Sequence, residues 1–144
     1  MSSAERTILL VEDDPAARRL FEEAMSESQI GTLDVVTTGN AALMYLDERG
    51  TDGTDPYPDL IVLDMHLPDV SGLEVLEALK SSPTPLKRIP VLVLSSSTEQ
   101  ATVDRAYDLG VNAYLQKPER YDDLLALMDE LRTFWLRRLV FPSR

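Results

Sequence analysis

Leu60-Ile61-Val62-Leu63-Asp64-Met65-His66-Leu67-Pro68 is the stretch that decides the fold. Apolar residues run without a break into an aspartate, and a proline closes the segment soon after. A run this short and this apolar predicts a strand buried on both faces, the kind found inside a parallel sheet. Such a strand delivers Asp64 to the edge where open α/β sheets bind their ligands. Thr7-Ile8-Leu9-Leu10-Val11 and Val91-Leu92-Val93-Leu94 have the same character. The first ends in Glu12-Asp13-Asp14 and the second in Ser95-Ser96-Ser97.

Helical patterns fill the intervals. Pro15 suits the first position of a helix, where its missing N–H is not needed, and Ala17, Leu20, Phe21, Ala24 and Met25 recur at helical spacing. Leu33 to Thr37 reads as a second strand. A second helix runs from about Asn40 to Arg49, with Leu43 and Leu46 facing in and Gly50 as its C-cap. Thr51 to Pro58 is polar and rich in Gly, Pro and Asp, the composition of a surface loop. Ser71-Gly72-Leu73-Glu74 matches a capping box and opens a helix carrying Val75, Leu76 and Leu79. After the proline-containing loop from Ser81 to Ile89, a fourth helix passes through Val103, Ala106 and Tyr107 and stops at Gly110. Asn112 to Leu115 is a short fifth strand leading into Lys117-Pro118, and a last helix spans about Tyr121 to Leu139. Strand and helix alternate throughout, which predicts a parallel sheet with helices on both faces.

Length and composition bound the function. The chain of 144 residues suits one domain with a single core. It has no cysteine, which excludes disulfides, thiolate metal sites and a cysteine nucleophile. No apolar run is long enough to span a bilayer, and Met1 to Arg6 lacks the features of a signal peptide. A cytoplasmic location is the expectation. The net charge of −11 argues against a nucleic-acid partner. Residues 1–130 hold all 25 acids against ten Lys+Arg, whereas residues 131–144 hold four arginines and no acid. Lysine is confined to Lys80, Lys87 and Lys117. An acidic, lysine-poor surface fits both a high-salt environment, where screening tames self-repulsion, and an arginine-biased genome.

In a parallel sheet all strand C-termini share one edge, so Glu12, Asp13 and Asp14 meet Asp64 there, joined by Ser95 and Lys117. Carboxylates gathered in one crevice resist ionisation. A divalent cation resolves that repulsion, and hard oxygen ligands favour Mg2+. A hydroxyl and an ammonium complete a site for an anion that also touches the metal, for which phosphoryl is the natural candidate.

Val11-Glu12-Asp13-Asp14, Leu63-Asp64, Ser95 and Lys117-Pro118 resemble, in order and spacing, the signatures of response-regulator receiver domains. The resemblance covers essentially the whole chain. It implies a flavodoxin-like (βα)5 fold with strand order 2-1-3-4-5, as one receiver domain over 1–144 with its core at about 6–131. It also implies a stand-alone two-component response regulator, a phosphoacceptor with self-catalysed transfer and slow autodephosphorylation rather than a turnover enzyme. Asp64 would take the phosphoryl group from a sensor histidine kinase. Asp13 and Asp64 would bind Mg2+, with Glu12 assisting through water and the backbone carbonyl of His66 as the third protein ligand. Ser95 would donate to a phosphoryl oxygen and Lys117 would pair with its charge. Ser95 and Tyr114 would form the switch that alters the fourth helix, fifth strand and fifth helix.

Other readings stand beside these. Asp14 suits an N-cap better than a metal ligand, and Ser96 and Ser97 sit at capping distance from Glu99 and Gln100. The His66 side chain is expected to face solvent, and Pro118 to follow a cis bond. A phosphorylation-independent binding module is one alternative function. A small Mg2+-dependent phosphatase of the haloacid-dehalogenase kind is another, but it needs an acid where His66 stands. In the last helix, Leu124, Leu127, Met128, Leu131, Phe134 and Trp135 form a core stripe. Leu125, Leu136 and Val140 fall outside it, and Phe141-Pro142 follow. This surplus predicts a partner surface. The Phe134-Trp135-Leu136 stretch and extended tail (132–144) resemble stand-alone receivers that work with bacteriophytochromes, implying a phytochrome-type kinase and a homodimer through the last helix.

Overall fold

A computed structural model describes residues 6–28, 31–49, 56–136 and 140. Five strands alternate with five α-helices: β1 (Thr7–Val11), α1 (Pro15–Ser28), β2 (Thr32–Val36), α2 (Gly39–Asp47), β3 (Leu60–Asp64), α3 (Gly72–Lys80), β4 (Val91–Ser95), α4 (Gln100–Asp108), β5 (Ala113–Gln116) and α5 (Tyr121–Glu130). A 3-10 turn, Pro85–Arg88, precedes β4, and a π-helical turn, Leu131–Leu136, continues α5. All strands pair in parallel in the order β2-β1-β3-β4-β5. This is the flavodoxin-like architecture that the sequence resemblance implies.

The period-2 alternation of side chains divides the core between the two sheet faces. Leu9, Val11, Ile61, Leu63, Val91 and Val93 point to the side covered by α2, α3 and α4. Ile8, Leu10, Leu60, Val62, Leu92 and Leu94 pack on the other side against Phe21, Met25, Leu124 and Met128 of α1 and α5. Every residue of β3 and of β4 is buried, which explains why their sequences are continuous apolar runs. Each such Leu, Ile or Val contributes roughly 1.5–3 kcal/mol on burial. β2 and β5, at the sheet edges, are only partly covered.

Local chemistry sets the helix starts. Asp14 caps α1: its Oδ1 accepts from the Ala16 N–H at 3.1 Å, and its carbonyl accepts from Arg18. Thr38 caps α2 and Ser71 caps α3, each accepting the backbone N–H three residues on. Ser96 and Ser97 do not cap α4. The N-cap there is Glu99, without a side-chain bond, and Ser97 Oγ instead closes a tight turn onto the Glu99 N–H.

Several expectations are corrected. Tyr57 and Pro58 are buried rather than loop surface, because the chain entering β3 already lies against the α2–α4 core. Phe134 is 53% exposed although it was expected in the core stripe. The wider π turn after Leu131 advances each residue by less than the α-helical angle, which carries position 134 off the buried face. Tyr107 is also half-exposed. The bond before Pro118 is trans, the lower-energy form even for proline. α2 ends at Asp47 with Glu48 as its C-cap; Gly50, the 51–55 stretch, the helix beyond 136 and Phe141-Pro142 lie outside the described residues. No helix among the described residues is long and apolar enough to cross a membrane.

Candidate metal and phosphoryl site

Strand register determines what meets at the C-terminal edge. Val11 lies opposite Leu63, which places Glu12 beside Asp64. Asp64 lies opposite Leu94, and Ser95 opposite Gln116, one residue before Lys117. The Lys117 amide donates to the Ser95 carbonyl at 2.8 Å, extending the β4–β5 pairing into the site.

Glu12, Asp13 and Asp64 bring carboxylate oxygens within 4.8 Å of one another. Asp14, turned to its cap, is not in that group. Glu12 and Asp64 are only 4% and 6% exposed. The Lys117 ammonium is in contact with Glu12 and lies 3.8 Å from Asp64 Oδ2. Burial, followed by hydrogen bonding to Asp64, pushes the Glu12 carboxyl up to about 7, against the pull of Lys117. Burial also opposes the Lys117 charge, but Glu12, Asp64 and Asp14 together hold its ammonium above the usual lysine range. Three crowded acids facing one ammonium are short of positive charge. Their hard oxygen donors, within one ion's reach, fit a divalent cation.

The rest of the site is a connected chain of hydrogen bonds. The His66 N–H donates to Asp64 Oδ1 at 3.3 Å, and the imidazole is exposed. Ser95 is fully buried, and its Oγ accepts from the Ser97 N–H at 3.1 Å. The Tyr114 hydroxyl donates to the Ser97 carbonyl at 2.9 Å, with the ring half-buried against the α2–α4 core. Ser95 and Tyr114 are therefore linked through Ser97. The Tyr107 hydroxyl, in turn, accepts the Tyr114 N–H at 3.2 Å, joining α4 to the edge strand. Beside Lys117 a cavity of about 220 Å3 opens between α1 and the β5–α5 connection, floored by Leu20, Phe21 and Leu94.

Two further contacts support the site. A Cβ on Gly72 would stand 2.8 Å from both the Asp64 carbonyl oxygen and Met65 Cα, so α3 starts in direct contact with the end of β3. Asp69 accepts the N–H groups of Gly39 and Asn40 at the start of α2. The capping box marked the helix start near Gly72, but nothing local marks a contact made 30 residues away.

A five-stranded parallel sheet presenting an acidic trio, a buried hydroxyl and a lysine at one edge defines a receiver. The chain belongs to the response regulator receiver domain family, whose pattern matches residues 8–129. Response regulator Rcp1 of Synechocystis sp. is 39% identical over 143 residues, covering 99% of this chain and 97% of that protein. The crystal structure of the Mn2+-bound form of Rcp1 superimposes with a TM-score of 0.84 at 39% identity, covering 96% of this chain and 100% of that one. The phosphorylated cyanobacterial phytochrome response regulator RcpA gives 0.87 at 40% identity over 97% and 100% of the two chains. The bacteriophytochrome response regulator RtBRR gives 0.73 at 40% identity over 96% and 84%.

Proposed function

We propose that this receiver is a response regulator that accepts a phosphoryl group on Asp64 from a sensor histidine kinase in the cytoplasm. The observation that carries the reading is the convergence of Glu12, Asp13 and Asp64 within 4.8 Å, with Lys117 against them. A carboxylate oxygen of Asp64 attacks the phosphorus of a phosphohistidine; the new O–P bond forms as the P–N bond breaks, and the imidazole leaves. Asp13, Asp64 and the His66 carbonyl hold Mg2+, with Glu12 assisting. Such an ion supplies charge stabilisation to the phosphoryl oxygens during transfer. Lys117 pairs with the charge left on the aspartyl phosphate. The Mn2+-bound form of the relative Rcp1 supports a divalent cation here, and the clustering of Glu12, Asp13 and Asp64 supports its place.

Ser95 Oγ is the natural donor to a phosphoryl oxygen on Asp64. Turning toward it gives up the bond from the Ser97 N–H, and the Ser97 carbonyl is what Tyr114 holds. Phosphorylation thereby biases the β4–α4 loop, α4 and β5 together. A phytochrome-type kinase is the favoured donor, because RcpA and RtBRR are phytochrome response regulators by name and align over almost all of this chain. The exposed Phe134 and Val140 support a homodimer through the last helix.

Phosphotransfer from an autophosphorylated histidine kinase tests the reading. The label is expected to move to the wild-type chain and not to Asp64→Asn. Turnover of a phosphate ester would instead favour a phosphatase, and partner binding indifferent to Asp64→Asn a phosphorylation-independent module.

A further inference from the structure

The connection between β3 and α3 carries the His66 carbonyl, and it is held at two points. At its far end the Gly72 N–H donates to the Met65 carbonyl at 3.1 Å, closing the loop on itself. Near its middle the Asp69 carboxylate reaches over to α2. Its Oδ1 accepts the Gly39 N–H at 2.9 Å, and its Oδ2 accepts the Asn40 N–H at 2.8 Å. Val70 seals the same junction: its Cγ2 would be 2.2 Å from a Cβ on Gly39, so the loop fills the space a side chain would take.

This is more than an ordinary helix cap. Thr38 already supplies the local one, its Oγ1 accepting the Ala41 N–H at 2.9 Å. What Asp69 adds is a tie between the helix and a loop from another part of the chain. The two amides it takes are among those a helix leaves without partners. Their bonds hold the Asp69 carboxyl below the usual aspartate range, with Asn40 contributing most. Asp69 follows His66 by only three residues, so a carboxylate anchored here limits how far the His66 carbonyl can drift from Asp64.

We infer that Asp69 is a positioning residue for the cation and phosphoryl centre, tethering the β3–α3 loop to the start of α2 so that the His66 carbonyl stays in register with Asp64. The inference rests on the reading of Asp13, Asp64 and His66 as the ligands of that cation. Groups that orient metal ligands without touching the metal commonly cost tenfold or more in affinity when lost.

The experiment is calorimetric titration of Mg2+ into the folded wild-type chain and into Asp69→Ala, Asp69→Asn, Thr38→Ala and Asp13→Asn. Asp69→Ala is expected to bind Mg2+ about tenfold more weakly. Asp69→Asn should fall between it and wild type, because one oxygen still accepts while the amide NH2 faces an N–H. Thr38→Ala weakens the same helix end without touching the loop, and is expected to keep the wild-type affinity. Equal affinity in Asp69→Ala and wild type would overturn the inference, as would an equal loss in Thr38→Ala, which would trace the effect to helix stability. If Asp69→Ala does not fold, the near-isosteric Asp69→Asn decides the comparison on the same criteria. Wild-type binding that Asp13→Asn leaves intact would sink the ligand assignment and the inference together. Asp13-dependent binding with Asp69 silent would sink the inference alone.

Discussion

Replacing Gly72 by alanine tests the junction that presents Asp64. The added Cβ would sit 2.8 Å from the Asp64 carbonyl oxygen, 2.8 Å from Met65 Cα and 2.9 Å from Met65 Sδ. Carbon atoms attract best at about 3.5–4.0 Å, so each contact is too short by roughly half an ångström or more. The sulfur can rotate away. The other two atoms are backbone, and relief requires α3 to lift from the end of β3. Overpacking of this kind costs about 1–3 kcal/mol, and the better helix propensity of alanine returns less than about 1 kcal/mol. Because two of the three contacts are to backbone, the cost falls in the upper part of that range, about 2–3 kcal/mol. A net loss of about 1–2 kcal/mol follows, read as a lower urea midpoint and a melting temperature lower by roughly 2–4 °C per kcal/mol for a domain of this size. Because the displaced atoms belong to Asp64 and Met65, phosphorylation of the folded variant should slow as well. A Gly72→Ala protein as stable as wild type would refute the close approach of α3 to β3.

Three further substitutions probe the site. Lys117→Ala removes the ammonium that holds Glu12 down, so in the metal-free protein the Glu12 carboxyl is expected to titrate above its present value of about 7, read by carboxyl NMR; a fall would contradict the ion pair. The raised Glu12 means that the folded chain binds this proton more tightly than the unfolded one. Its contribution to stability is therefore full below 4.5 and is lost as the pH rises through about 7. In EDTA the urea midpoint should fall from pH 5 to pH 8, and Glu12→Gln should flatten that fall; an equally steep fall in the variant counts against Glu12 as its source. Tyr114→Phe deletes the bond to the Ser97 carbonyl and should cost about 0.5–1.5 kcal/mol while speeding amide exchange in the β4–α4 loop. Unchanged stability and exchange would break the proposed link from Ser95 to Tyr114.

The parts of the fold legible in the sequence are those that one local rule determines. β3 and β4 are buried on both faces, so nothing but apolar residues fits, and the runs at 60–63 and 91–94 stand out. Parallel pairing then collects Glu12, Asp13, Asp64, Ser95 and Lys117 at one edge without further information. Asp69 was not legible because its partners are backbone N–H groups of a distant helix, which leave no trace in side-chain periodicity. A helical stripe misplaces Phe134 because it assumes a constant turn angle, and the π turn changes it. Tyr57 was hidden by its neighbours: a segment with loop composition carries one large ring back into the core.

The proposed function turns on Asp64 being a metal-dependent phosphoacceptor. Intact-mass measurement after incubation with acetyl phosphate and Mg2+ tests it most directly, alongside Asp64→Asn and an EDTA control. The wild-type chain is expected to gain the mass of one phosphoryl group, and neither the variant nor the EDTA sample to gain any. An adduct that survives Asp64→Asn, or a folded, Mg2+-binding chain that takes none from acetyl phosphate or from a cognate kinase, would contradict it.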